Sequence, residues 1–503
     1  MEDRGMRGSK IWLFIGVFAL GLGAPEGAVH AQGSEVVTGE AGSARADLAQ
    51  AIAFRTDLSL DASAATVKRA AEDAAGYPNM TWGVPLSDAE AAEIQSRIQV
   101  MESLLPAIHE AQKDPSWAGW QLDHAAGGVP VVYVAADAAS RADALAKLAP
   151  PSTRVVVVEV ERSLDDLEAL RDRLKASKPQ LLAAGTRITG LTIDVVNNQV
   201  IVDVVPFTPD AVLSVGKAAG DEEQAIVVRE NEPTRADACP ESECLNPVKG
   251  GAGMQEDGND VYPNNTPCTA GYLARRTDTS PDKLVIVTAG HCNFVQQGWG
   301  AEPWQHGGSG DPGPNIDIGS IAMKDGGIVS TWVDGANADV GLVNTGMLSS
   351  SDVAVKNSML VRLDPSVRVL PVERVFLHAD TFVGMPVCRM GYRTKLKCGT
   401  VINTDATKDD SWGSYSVEID HVVVYSRDAI GGDSGGPVFY TVEYPLSYAV
   451  LVGTHVHSYN HNNDNIYYPD KKGWYSPYDR GKNQLSNMLG VEITPCLTTT
   501  CGF

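Results

Sequence analysis

Apolar residues recur at Ala91, Ile94, Ile98, Met101 and Leu105, a spacing that gathers them on one face of a helix. Ser87-Asp88-Ala89-Glu90 stands just ahead of that stripe. This is a capping box, in which serine and glutamate satisfy the free amide groups of a first helical turn. The period then changes. Gly127-Gly128 leads into Pro130 to Ala135, which reads as a strand, and the valine-rich run Val155 to Val160 reads as another. Ala138 to Leu148, between them, suits a short helix. Ser163 caps a further helix through Leu174, with Asp165 and Asp166 at its positive end. Thr192 to Val196 and Gln199 to Val205 flank Asn197-Asn198, and asparagine tolerates the positive φ of a hairpin turn. The pattern describes a small α+β domain over about 87–213. Residues 32–86 are alanine-rich and weakly patterned. Residues 214–235 are polar and acidic and read as an exposed linker.

From Cys239 onward the texture is different. Glycine, proline and asparagine rise, long helical periods vanish, and short β-branched runs separate clusters of turn residues. Leu284 to Val287, Val340 to Val343, Val422 to Tyr425 and Ala449 to Val452 are such runs. Many short strands with turn signals favour a β-barrel or sandwich.

The first residues carry Arg4, Arg7 and Lys10, then an apolar run from Ile11 to Gly23. That run is too short to span a bilayer core of about 30 Å as a helix. Val29-His30-Ala31 offers the small residues a signal peptidase reads, so 1–31 is expected to be a secretory signal cut after Ala31. All eight cysteines (Cys239, Cys244, Cys268, Cys292, Cys388, Cys398, Cys496 and Cys501) lie in the second half. An even set confined to one half suits disulfides in an exported domain, although eight cysteines allow 105 pairings. The expected location is therefore extracellular. The net charge of −23 divides into −13 for residues 1–238 and −10 for 239–503. Such a chain repels phosphate backbones and anionic lipid, which excludes a general nucleic-acid or membrane binder.

Gly432-Asp433-Ser434-Gly435-Gly436-Pro437 carries the candidate chemistry. A serine hydroxyl is a poor nucleophile until a base accepts its proton. Glycines around it let the backbone turn sharply and aim amide groups at a developing oxyanion. A base and an orienting carboxylate are found upstream. His291 follows an apolar strand in Thr288-Ala289-Gly290-His291-Cys292, and Asp339 heads another in Asn337-Ala338-Asp339-Val340. The order His, Asp, Ser fits the roles of base, orienter and nucleophile. A lipase or esterase elbow reads Gly-x-Ser-x-Gly with its histidine last, which this order excludes. The rival from another class is a catalytically silent homologue acting as a binding or adhesion module.

On these two motifs, residues from about 239 to 503 resemble the chymotrypsin-fold, trypsin-like serine proteases. The resemblance implies an all-β two-barrel domain and a serine-type endopeptidase working through an acyl-enzyme. In it His291 is the base, Asp339 orients it, Ser434 attacks, and the amides of Gly432 and Ser434 form the oxyanion hole. It also implies a Cys268–Cys292 bridge. The segment Val383 to Val401 is similar to the bacterial streptogrisin and alpha-lytic protease branch, which implies a Cys388–Cys398 hairpin bridge and a buried Arg389–Asp433 ion pair. Cys239, Cys244, Cys496 and Cys501 pair either within each short loop or across the two ends. That branch is made as a zymogen. Residues 32–235 are therefore expected to be a propeptide that assists folding and inhibits, and 236–503 the protease. The branch's cysteine before the nucleophile run is absent here, where Arg427 to Gly431 stands.

Two residues disagree about the side chain accepted before the scissile bond. Asp428 matches the pocket-floor acid of trypsin-like enzymes, which favours arginine or lysine. His455 resembles a pocket residue of bacterial glutamyl endopeptidases, which favours an acid. Asp428 gives the basic preference a slight lead. Asp257, Asn259 and Asp260, and His457, His461 and Asp464, carry ligand-type atoms, but loop residues of this kind are usually solvated. No metal or cofactor is assigned. The expected partners are a peptide or protein substrate and the chain's own propeptide, and the expected state is a monomer.

Overall fold

The computed structural model describes residues 39–73, 82–150, 153–231, 234–235, 250–251, 253–256, 268–277, 283–294, 303–306, 316–320, 322–324, 327–345, 358–363, 366–412, 415–427, 429–442, 448–459 and 471–497. Residues 44–503 make one compact unit and 1–43 another. The signal expected at 1–31 lies outside the described residues, as do Cys239, Cys244, Cys501 and Asp428. No described helix is long and apolar enough to cross a membrane.

The weakly patterned stretch before residue 87 contains helices at Gly39–Asp57 and Ala64–Asp73 among its described residues. Its core-facing positions include Ala51 and Ala70 beside Phe54, Leu58 and Val67, so alanine hides the apolar stripe. Phe54 packs on Trp82 with ring centroids 5.7 Å apart. Arg55 is fully buried and forks onto Glu90, its second nitrogen 3.0 Å from the carboxylate. Glu90 also closes the capping box on Ser87, so one carboxylate starts the helix Asp88–Ala111 and anchors the helix before it. Ile94, Ile98 and Met101 are buried as expected, but the buried stripe then passes to Leu104 and Ile108, and Leu105 is half-buried.

Trp117–Asp123 pairs antiparallel with Val129–Val134, which pairs parallel with Val156–Glu159. The helices Ala138–Leu148 and Leu164–Ala176 fall where the sequence places them. The asparagine hairpin is present too. Arg187–Asp194 pairs with Gln199–Val205, and Asn198 has a φ of +54°. The linker expectation needs correction. Past Leu213 the chain continues the helix Pro209–Ala219 and then forms the strand Ile226–Glu230, parallel to Gln199–Val205. The acidic residues Asp221, Glu222 and Glu223 occupy a helical turn between these two elements. Composition misreads the segment because its apolar anchors, Ala211, Val215, Ala219 and Ala225, are small and widely spaced.

Among the described residues the second half is β apart from the short helices Gly290–Phe294 and Tyr478–Leu489 and a 3-10 turn at His378–Asp380. Its described strands lie in two larger sheets, a smaller one of Ile316–Ser320, Pro303–His306, Gly253–Glu256 and Cys268–Thr269, and the pair Met323–Lys324 and Gly327–Ile328. Gly341–Asn344, Lys283–Thr288, Tyr272–Arg276 and Ile493–Pro495 form one sheet. A second runs through Ser358–Leu363, Ser366–Val375, Tyr448–Tyr459, Pro437–Val442, Pro386–Gly391 and Lys395–Trp412. That sheet continues into the first half. Lys395–Trp412 pairs antiparallel with Arg187–Asp194, setting Ala406 opposite Thr192 and Lys408 opposite Gly190.

Charge complementarity runs along this junction. Leu164–Ala176, the helix after it and the strand Arg187–Asp194 supply Arg171, Lys175, Lys178 and Arg187. The long hairpin Lys395–Trp412 and Tyr415–Tyr425 supplies Asp405, Asp409, Glu418 and Asp420. Arg171 lies 2.5 Å from Asp405, Lys175 3.0 Å from Glu418 and Arg187 3.0 Å from Asp409; Lys175 also pairs with Asp420. Burial alone would raise the Asp405 carboxyl, but His421 and Arg171 outweigh it and hold it well below its ordinary value. A depressed carboxyl contributes stability that is complete above its unfolded value of about 4 and is lost as pH falls through the lower folded value. Arg171→Ala leaves Asp405 without its main cation and should cost about 3 kcal/mol at neutral pH. Urea unfolding of the full chain at pH 7 checks this, and the loss should shrink at pH values low enough to protonate Asp405.

Candidate active site

Pairing of two apolar strands brings the base and its orienter together. Lys283–Thr288 lies antiparallel to Gly341–Asn344, with Thr288 opposite Gly341. His291 begins the helical turn just past one strand, and Asp339 stands just before the other. The side chains therefore meet at one end of the pair. His291 Nδ1 is 2.5 Å from Asp339 Oδ2, and the His291 amide donates to Asp339 Oδ1 at 2.9 Å. The Asp339 amide donates to Ser476 Oγ at 2.8 Å. Asp339 is fully buried. Burial would raise its carboxyl, but the neighbouring His291, its hydrogen bonds and His457 hold it below its ordinary value. An ionised carboxylate thus faces the Nδ1 side of the imidazole and fixes its orientation.

The other face of that ring meets the serine. Ser434 Oγ lies 2.9 Å from His291 Nε2 and 3.4 Å from the carbonyl of Val456. Ser434 and His291 are almost without exposed surface in the full chain. The turn before the strand Pro437–Val442 needs its glycines. Gly432 and Gly435 have φ of +100° and +89°, left-handed values that glycine adopts without strain. A Cβ on Gly435 would meet Thr288 Oγ1 at 2.1 Å and the Thr269 carbonyl at 2.3 Å. The nucleophile turn is therefore pressed against the strand end that carries His291. Thr269 reinforces the contact. Its amide donates to the Ser434 carbonyl at 2.7 Å and its hydroxyl to the Gly432 carbonyl at 2.5 Å.

Asp433 points the opposite way, into the protein. Arg389, also fully buried, lies 3.2 Å from it. Thr394 donates its hydroxyl at 2.6 Å and its amide at 3.1 Å, and the Arg393 amide donates at 2.9 Å. Burial pushes this carboxyl up; Arg389 and Thr394 more than reverse that. The Cys388–Cys398 bridge ties the strand that bears Arg389 to its neighbour, and Cys268–Cys292 ties the strand Cys268–Thr269 to the turn of His291. Cys496 is also disulfide-bonded, to a residue outside the described set.

His455 and His457 occupy the strand beside the serine, and both are buried. The Tyr425 hydroxyl lies 3.0 Å from His455 Nδ1. Burial and the nearby Arg389 push His455 well below the ordinary imidazole value, so it is neutral at pH 7. His457 stacks on His291 with centroids 5.9 Å apart and planes 20° from parallel. Ligand atoms of His291, Asp339 and His457 lie within 4.8 Å of one another. An ion held there would take the imidazole and carboxylate that the hydrogen-bonded chain uses, so the set is not assigned as a resident metal centre. The placement of His457, the threonines at 269, 288 and 394, and Ser476 were not legible beforehand. His457, Thr269 and Ser476 act across more than a hundred residues, Thr288 at the end of a strand pairing and Thr394 from a hairpin turn 39 residues before Asp433.

The alpha-lytic protease prodomain family matches residues 162–223. No curated protein matches the chain. Solved structures with similarity include a glutamic acid specific serine protease whose substrate binding uses a histidine triad. It is 18% identical over 49% of this chain and 100% of its own, with a TM-score of 0.33. Protease A of Thermobifida fusca and the Nocardiopsis protease are each 18% identical over 49% of this chain and 98% of theirs, with TM-scores of 0.30. The prodomain match falls in the α+β half, where the sequence resemblance implies a propeptide.

Arg389→Ala strands Asp433 as a fully buried carboxylate without its cation. The expected cost is about 3–5 kcal/mol, because the desolvation of the remaining charge is no longer offset. The denaturant midpoint of the purified chain checks it, and Arg389→Lys should recover part of the loss.

Proposed function

We propose that the chain is the precursor of a secreted serine endopeptidase, with a signal at 1–31, a propeptide at 32–235 and the protease at 236–503. One observation carries this reading: the unbroken line from Asp339 through His291 to Ser434, with contacts of 2.5 and 2.9 Å. In this role His291 Nε2 takes the proton of Ser434 as Oγ attacks a substrate carbonyl, and later returns it to the leaving amine. Asp339 keeps Nδ1 protonated and stabilises the imidazolium that forms. Amides of Gly432 and Ser434 are the donors to the developing oxyanion. Arg389 and Asp433 take no part in proton transfer; their pairing holds the turn on which Ser434 sits. The propeptide acts as folding aid and inhibitor, and one observation supports that role: its strand Arg187–Asp194 extends the protease sheet.

A silent homologue acting as a binding module is the alternative, and hydrolysis separates the two. The processed wild-type protein should cleave members of a peptide library. Ser434→Ala should abolish that turnover while leaving the fold intact by circular dichroism. Asp339→Asn should lower kcat by about 10⁴-fold, because the amide favours the wrong imidazole tautomer. Equal turnover by the wild type and by Ser434→Ala would defeat the enzyme reading.

A further inference from the structure

Arg374 and Arg427, both in the second half, each bind a carboxylate of the first. Arg374, which meets Glu102, is 47% exposed. The side chain of Arg427 is only 1% exposed, and Asp57 Oδ2 lies 2.6 Å from its Nη1. The same oxygen accepts the Ser426 hydroxyl at 2.6 Å. Both donors are set in place by the second half itself. The Thr400 amide donates to Ser426 Oγ at 2.9 Å, which occupies a lone pair and leaves the hydroxyl proton for the carboxylate. Arg427 Nη1 also donates to the Ser426 carbonyl. The neighbouring strands carry glycine where a side chain would intrude. A Cβ on Gly399 would meet Ser426 Oγ at 2.6 Å and Arg427 Cγ at 2.9 Å, and one on Gly473 would meet the Arg427 carbonyl at 2.5 Å. Asp57, in contrast, gains nothing from its own element. It is the last residue of the helix Gly39–Asp57, where the negative end of the helix dipole disfavours an acid.

We propose that Ser426 and Arg427 form a carboxylate-binding site of the second half, and that Asp57 is its ligand in the full chain. A guanidinium taken out of water demands an anion, and that demand belongs to the half that buries it, not to the helix that meets it. A carboxylate suits the site because one of its oxygens accepts the hydroxyl and the guanidinium together, both as charge-assisted hydrogen bonds. The site therefore recognises a carboxylate from either of two sources: the Asp57 side chain, or a small free carboxylate once Asp57 is removed. It is distinct from the triad, since Ser434 follows Arg427 by seven residues and touches neither donor. Its occupant nonetheless anchors a sensitive stretch of backbone. Tyr425, next in the chain to Ser426, places its hydroxyl 3.0 Å from His455 Nδ1 and accepts a hydrogen bond from Arg389 at 3.3 Å. Arg389 in turn pairs with Asp433. The bound carboxylate thus pins the chain one residue away from the network behind the nucleophile turn. The site goes beyond the peptidase reading and does not depend on it.

Chemical rescue tests this in the full chain, with Ser434→Ala present throughout so that the chain stays whole. Thermal unfolding is followed in potassium formate and in potassium chloride at equal ionic strength. Asp57→Ala should unfold at a lower temperature than its parent. Formate should then raise its midpoint saturably, by about 2 °C or more over chloride, because formate binds the folded state alone. The parent, whose site is filled, should show no saturable response, and neither should Asp57→Ala combined with Arg427→Gln. Asp57→Ser keeps a polar helix end and carries the same titration should Asp57→Ala fail to fold. Line broadening of ¹³C-labelled formate by the single variant, and not by the parent, reads the binding without reference to stability. The proposal is overturned by the absence of a formate response in the single variants, by an equal response in the parent, or by a response that survives Arg427→Gln. Peptide turnover enters none of these outcomes, so the enzyme reading stands or falls separately.

Discussion

Two buried carboxylates govern the site. Asp339 and Asp433 are both without solvent exposure, and a bare carboxylate in such a place costs several kcal/mol. Each must be answered by donors, and the answers dictate the local architecture. For Asp339 these are the ring and amide of His291. For Asp433 they are Arg389, Thr394 and the amide of Arg393. Ser434 lies next in the chain to one carboxylate and within reach of the histidine bound to the other. The position of its hydroxyl is thus set by two charges it does not touch. The disulfides stand on the same two arrangements, one at the turn of His291 and one on the strand of Arg389.

Much of this was readable along the chain. The glycines of the nucleophile turn, the histidine after an apolar strand and the aspartate before another are local signals, because each residue's neighbours in sequence fix its backbone. The helices with serine caps and the asparagine hairpin were readable for the same reason. What escaped depends on contacts between distant segments. His457 carries no local mark of its stacking on His291. The helix and strand between 209 and 230 were hidden by small apolar anchors among acids. The helices before residue 73 bury alanines, whose pattern against a polar background is faint. Arg427, Asp57 and Ser426 show the same limit. The helix Gly39–Asp57 sends Asp57 to Ser426 and Arg427, close to the nucleophile turn, across some 370 residues.

The two halves are joined by main-chain pairing as well as by charge. Backbone hydrogen bonds between Arg187–Asp194 and Lys395–Trp412 make one sheet of them, and the cations and anions on either side fix its alignment. Neither feature alone would do both. Main-chain pairing tolerates slippage by two residues without turning a side chain over, whereas ion pairs with short side chains such as aspartate do not tolerate it.

If the N-terminal half is removed, as the precursor reading proposed above requires, that shared sheet has a consequence for the protein left behind. The edge of Lys395–Trp412 from Ala406 to Lys408 loses its partner and becomes an open row of amides and carbonyls, the kind of border at which copies of a protein stick together. Asp405 and Asp409 bracket that row, with Glu418 and Asp420 on the neighbouring strand. In the precursor they attract the departing half. In a second half so released, the same four acids would repel their counterparts on another molecule. The residues that hold the partner in place thus become the safeguard against self-association in solution.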